Sequence, residues 1–296
     1  MKDAFSGYHP AVNFCYFVLV IGFSMFLMHP VCLILSLICA LTYALLLNGR
    51  RAMRLTLCGL LPLLVLTTIL NPLFSHEGAT ILTYLPDGNP LTAESVWYGL
   101  AAACMMVSVI LWFSCYHKVM TSDKFLYLFG RVIPVLSLIF SMTLRFVPRF
   151  TEQFRVVASA QRCIGRDLLS GSLARRLRNG ISVLSVMLTW ALESAVITAD
   201  SMKSRGYGLK GRTAFSRYRL EWRDVRILLF LLLTAGYLVV CIAMDVLSWQ
   251  YYPLFHGSLI GVWQASAYLA YTALCLMPAI MRWREDRKWH VLKSGL

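Results

Sequence analysis

Gly206, Gly208 and Gly211 stand in the stretch SMKSRGYGLKGR with the G-x-G-x-x-G spacing of a dinucleotide-binding turn. In that chemistry the glycines let the backbone approach a pyrophosphate resting on a helix N-terminus, with a strand before the first glycine and a helix after the last. The flanks here run the other way. Residues before Gly206 repeat with helical period, so Gly206 reads as a helix C-terminus, where a left-handed cap is needed. The segment RTAFSRYRLEWRDVR that follows Gly211 is too basic and broken to pack on a sheet. What remains is a helix whose last turn carries Lys203 and Arg205, charges that suit the negative end of a helix dipole. A guanidinium presented at such a tip is also shaped to hold a carboxylate on another protein through two parallel bonds.

Other residue types with chemical potential are scattered. The nine cysteines show no CxxC pairing and mostly lie in apolar runs, so they read as small hydrophobes. The six histidines are nowhere at helical ligand spacing, and neither a metal site nor a cofactor is expected. No nucleophile–base pair or carboxylate cluster stands out, which argues against an enzyme. Glu193 and Asp200 lie seven residues apart near one helix face, with Glu193 inside an apolar run. They read either as an intramembrane proton carrier or, favoured here, as surface acids or partners of a base such as Arg145.

The elements that carry these residues follow from composition. Of 296 residues 58% are hydrophobic and 14% charged, yet the formal net charge is +14. A soluble domain carries about 25% charged residues, so this chain belongs in a membrane. Lys and Arg are absent from 3–49, 55–117 and 227–281, and the stretch 118–226 alone holds 19 of the 28. Apolar runs of about 20 residues separated by alternately basic and non-basic loops are the mark of a multi-pass protein. They exclude a soluble basic protein that binds nucleic acid.

Six spans are expected, at 11–28, 31–47, 55–74, 95–116, 227–247 and 258–281. The first lacks a small-residue cleavage site and reads as an uncleaved helix. His29-Pro30 makes the first turn, with Pro suited to a helix start. The loop 75–94, with Glu77, Asp87 and Glu94 but no base, is external, as is the one carrying Asp245. Trp97, Tyr98, Trp112 and Tyr116 sit near the ends of the fourth span, as an aromatic belt requires. The Arg50/Arg51/Arg54 cluster, the N-terminus, the middle stretch and the tail RWREDRKWH then all fall in the cytoplasm.

Residues 117–226 hold two further long helices, LRFVPRFTEQFRVVASAQR and TWALESAVITADSMKSRG, each leaving an apolar setting and ending at arginine and glycine. On the first, Phe150, Phe154, Val157, Ala158 and Gln161 share a face, opposite Arg149, Glu152 and Arg155. No segment is long enough in β pattern for a strand domain. The expected fold is all-α: transmembrane helices 1–4 in 1–116, cytoplasmic or interfacial helices in 117–226, and helices 5–6 with a basic tail in 227–296.

These two helices, SMKSRGYG above all, resemble the signature helices of the transmembrane T component of energy-coupling factor transporters, the CbiQ/EcfT family. MHPVCLILSLICALTYALLLNGR resembles that family's first spans, and the likeness extends over roughly 14–245. Its motif is Ala-Arg-Gly at the ends of two coupling helices. Ser204-Arg205-Gly206 matches the second copy with Ser for Ala. The first departs: Cys163-Ile164-Gly165 puts Ile164 where the arginine belongs, and Arg162 or Arg166 could replace it. The resemblance implies a non-catalytic subunit of a bacterial or archaeal cell membrane. Its coupling helices dock into two ATP-binding cassette ATPase subunits and pass their motion to a small membrane substrate-binding component carrying a vitamin or transition-metal ion. The rival, a stand-alone secondary transporter or channel, needs charged or polar residues along a path through several spans, and the only charge in those spans is Asp245, at an end.

Overall fold

The computed structural model describes residues 5–75, 77–84, 90–130, 134–167, 170, 172–209, 218–258 and 260–294. Asp87, Gly211, Arg212 and most of the segment after them lie outside these. The chain divides into two compact units, one of 1–125 with 218–296 and one of 126–217.

The first unit is a helical bundle. It comprises α1 (Pro10–Phe26), α2 (Pro30–Asn48), the short α3 (Arg50–Leu55), a π-helical turn at Thr56–Leu60, α4 (Leu61–Phe74), α5 (Ala93–Val119), α9 (Trp222–Ala243) and α10 (Val262–Ser294). Helices answer the membrane problem because every backbone group in lipid must find its partner within the segment. Two starts are built alike: His9 Nδ1 accepts the amide of Ala11 and His29 Nδ1 that of Val31, with Pro10 and Pro30 as the first helical residues. The His-Pro dipeptide thus caps the helix while proline supplies no orphan donor.

The core of the bundle is aromatic. Tyr16, Phe17, Tyr43, Trp112 and Tyr271 are fully buried among Leu111, Leu231, Leu238 and Leu274. Trp112 is therefore no belt residue. Its Nε1 donates to Ser36 Oγ at 3.2 Å, Ser36 meets Ser24 at 2.8 Å, and Ser24 meets Tyr271 at 3.1 Å. The polar atoms of this buried cluster satisfy one another, as an apolar setting demands. Trp97 does face outward, while Tyr98 packs on Tyr251 and Tyr252.

The loop after α4 holds a small antiparallel hairpin, β1 (Ile81–Tyr84) with β2 (Pro90–Thr92). Thr92 caps α5, and Glu94 is buried, accepting the Thr80 amide and hydroxyl. Glu94 is thus the second residue of α5 and not a loop residue, its carboxylate tying Thr80 of the loop to the helix start. All nine cysteines are free thiols.

Among the described residues, six helices are long and apolar enough to cross a membrane: Pro30–Asn48, Ala52–Phe74, Ala93–Val119, Leu173–Ser204, Trp222–Ala243 and Val262–Trp289. The chain is an all-α, multi-pass membrane protein. Membership of the set differs from the sequence expectation at two places. α1 has 17 residues, about 26 Å at 1.5 Å per residue and a little short of the ~30 Å hydrocarbon layer. A helix expected to serve coupling, α8 (Leu173–Ser204), has 32 residues and an apolar centre that passes the same test. α9 also starts earlier than expected, at Trp222. There Glu221 and Asp224 form a capping box, and Asp224 is buried, accepting the amides of Glu221 and His9.

Candidate functional site

After α5 comes the short α6 (Ser122–Gly130), and in the second unit α7 (Pro134–Cys163) packs on α8. Val157, Val183 and Met187 are buried between them, Trp190 is half-buried beside them, and Phe150 meets Trp190 edge-on at 5.2 Å. The expected apolar face of α7 is thus the one in contact, although Phe154 stays half-exposed. Arg149 reaches round to the Trp190 ring, 5.9 Å from its centroid. Asn179 Nδ2 donates to the Asp167 carbonyl at 2.8 Å and ties the α7–α8 loop to the first turns of α8.

Both helices end in the same backbone structure. At α7 the Gly165 amide donates to the Arg162 carbonyl at 3.0 Å and the Arg166 amide to the Gln161 carbonyl at 2.9 Å. At α8 the Gly206 amide donates to Lys203 at 3.0 Å and the Tyr207 amide to Met202 at 3.0 Å. Gly165 has φ 78° and Gly206 φ 76°. This is the Schellman cap, in which a left-handed glycine turns the chain so that two amides close on the last free carbonyls. The two ladders superpose residue for residue: Cys163 on Ser204, Ile164 on Arg205, Gly165 on Gly206, and Arg166 on Tyr207.

That correspondence shows what each tip presents. Arg205 is exposed and, among the described residues, takes no ion pair. Its counterpart Ile164 is an exposed apolar side chain, 70% accessible. Arg162 is drawn back to its own loop by Asp167, with Nε 3.6 Å from Oδ2. Arg166 is exposed and, among the described residues, takes no ion pair. Ser204 is exposed, its hydroxyl bonding back along the helix to the Ser201 carbonyl. Lys203 and Tyr207, not singled out from sequence as site residues, flank Arg205 and are exposed with it. Glu193 and Asp200 are both exposed on α8, without an ion pair to Arg145. A dinucleotide site is ruled out by the order of elements, since helix and not strand leads into Gly206.

Residues 8–215 match the CbiQ family, described as cobalt transport protein. The chain belongs to this family of transmembrane components of energy-coupling factor transporters. Among its relatives, the energy-coupling factor transporter transmembrane protein EcfT of Listeria innocua is 30% identical over 197 residues, covering 61% of this chain and 72% of that protein. The EcfT protein of Exiguobacterium sibiricum is 27% identical over 222 residues, 67% of this chain and 80% of its own length. That of Brevibacillus brevis reaches 37% identity over a shorter stretch of 95 residues. The CbiQ match takes in α1 to α8 and both caps.

Proposed function

We propose that the chain is the non-catalytic coupling subunit of an energy-coupling factor importer. The α7 and α8 tips face the cytoplasm, each seated on one of two ATP-binding cassette subunits. ATP-driven approach of those subunits moves the tips, and residues 117–226 transmit the motion to a membrane substrate-binding component. The cargo class is a vitamin or a transition-metal ion; the family description, with its cobalt, favours the metal. The observation that carries this reading is the pair of matched caps, one of which offers the unneutralised guanidinium of Arg205.

At the α7 tip the arginine that takes over is Arg166. Arg162 would first have to leave Asp167, whereas Arg166 lies just past the cap and, among the described residues, has no ion pair to give up. Gly165 and Gly206 set the turn, and the Ser204 hydroxyl donates to the Ser201 carbonyl in the last turn before Arg205. A charge-assisted bond from such an arginine to a carboxylate contributes about 1.5–3 kcal/mol, enough to anchor a rigid helix at a point.

The test is Arg205→Glu in cells that also make the ATPase subunits. The variant chain should insert in the membrane at the wild-type level, while ATPase subunits no longer co-purify with it and uptake stops. A variant complex that assembles and transports like the wild type would remove Arg205 from the docking role.

A further inference from the structure

We propose that the turn joining α2 to α4 is a binding site for one anionic phospholipid, with its phosphate held by Arg50 and Arg54 and its acyl chains laid along α4. The site begins with an interruption in helical geometry. α2 stops at Gly49 (φ 53°), α3 begins at Arg50, and the helix then widens into the π turn at Thr56–Leu60. The Leu61 amide reaches back five residues to the Thr56 carbonyl, and the Thr56 hydroxyl donates to the Ala52 carbonyl at 2.9 Å. Single π turns of this kind recur where a helix must make room for something. Here the widened turn carries Gly59, which has no side chain, and beside it opens a cavity of about 640 Å³ lined by Arg50, Arg54, Leu55, Cys58 and Gly59.

The charge on this cavity is unbalanced. Arg50 and Arg54 lie one turn apart on one face of α3 and both are exposed. Among the described residues neither takes an ion pair, whereas Arg162, Arg223 and Arg282 each face a carboxylate. Lys118 adds a third cation nearby, its Nζ fixed at 2.6 Å from the Leu47 carbonyl and 2.7 Å from Asn48 Oδ1. Two free guanidiniums at the mouth of a concave surface suit a phosphate, which each can bond bidentately.

A free phosphate would use only that mouth. Past it, α4 turns Leu61, Val65, Leu66, Ile69 and Leu73 outward, each 43–58% exposed, within the continuous helical stretch Ala52–Phe74 that is long and apolar enough to cross a membrane. A ligand held by the arginines therefore meets apolar surface continuous with the bilayer. Only a headgroup with chains attached uses both parts. A zwitterionic lipid would bring its ammonium against the same cations, so the preferred lipid carries net negative charge.

The experiment measures lipid retained by the purified full chain in mild detergent, by native mass spectrometry, during titration with phosphatidylglycerol or phosphatidylcholine. Two variants are compared. Arg50→Gln/Arg54→Gln removes the charge, and Gly59→Leu fills the cavity while leaving it. A Cβ at Gly59 meets only Leu55 Cδ1, at 3.8 Å, so the second variant should fold. Wild type should retain one phosphatidylglycerol in preference to phosphatidylcholine, with inorganic phosphate at millimolar concentration failing to compete. The double variant should bind about 25-fold more weakly, about fivefold for each arginine lost, and Gly59→Leu should bind weakly too. Equal retention by both variants and wild type overturns the proposal, as does indifference to headgroup charge. Competition by phosphate alone would make it an anion site without a lipid. Unchanged lipid retention with loss of ATPase subunits from the double variant would assign the arginines to a protein carboxylate, and the proposal again fails.

Discussion

Gly206 sits at φ 76° immediately after Arg205, a conformation that costs an L side chain roughly 1–2 kcal/mol. It also lies under Leu209, whose Cδ1 would stand 3.0 Å from an added Cβ; Gly165, at φ 78°, meets nothing within 4 Å. Gly165→Ala should therefore register strain alone, and Gly206→Ala strain plus displacement of Leu209. Amide hydrogen exchange reads this directly, because the Tyr207 and Arg166 amides close the two caps. Exchange at Tyr207 should quicken at least fivefold in Gly206→Ala, and exchange at Arg166 by a similar or smaller factor in Gly165→Ala. Unchanged exchange at Tyr207 would mean that the glycine is not what holds the tip in shape. The α8 tip could be located from sequence because a Schellman cap is local, written within six consecutive residues. Asp167 holding Arg162 is a loop contact that no spacing announces.

At the scale of elements, α7 and α8 end alike yet present different side chains, Ile164 where the other has Arg205. If the tips dock as proposed, an arginine at 164 occupies the position that Arg205 occupies on α8. Ile164→Arg should then increase the amount of ATPase subunit retained through a high-salt wash, and restore part of what Arg205→Glu loses. One added charge-assisted bond of about 1.5–3 kcal/mol corresponds to a tenfold or greater gain in retention. Were Ile164→Arg without effect and Arg162→Gln damaging, Arg162 and not Arg166 would serve the first tip. Helix positions in this chain were mostly legible, since apolar runs bounded by glycine, proline and bases mark them. The π turn at Thr56–Leu60 was not, because widening one turn by a residue leaves the hydrophobic pattern almost untouched.

For the whole molecule, stability in acid is set partly at the α1–α2 turn. Burial pushes the His29 imidazole below its ordinary value of 6.5, with a smaller opposing effect from a backbone bond at Ser258. Its Nδ1 accepts the Val31 amide and its Nε2 lies 3.2 Å from the Tyr268 hydroxyl, so the neutral ring is the one that fits. The unfolded chain takes up this proton first, and stability present above pH 6.5 is lost as pH falls towards the lowered native value. The thermal midpoint of the detergent-solubilised chain should drop between pH 7 and pH 5. His29→Asn, which keeps a cap acceptor and cannot titrate, should show a shallower drop. His9, also lowered by burial with Asp224 opposing, would account for part of what is left. An identical pH slope in wild type and His29→Asn would remove His29 from the account.

Sequence by itself determined that this is an all-α membrane chain, where most of its helices run, and that two of them stop at glycines beside arginine. Those features depend on transfer free energy and on local backbone geometry, which are properties of short stretches. Tertiary structure alone decided that Trp112 belongs to a buried network with Ser24, Ser36 and Tyr271, that Glu94 is a clamp on its loop, and that Arg162 is already engaged. Each of these rests on which residues, distant along the chain or across a loop, come within hydrogen-bond reach once the helices pack, and neither composition nor period encodes that.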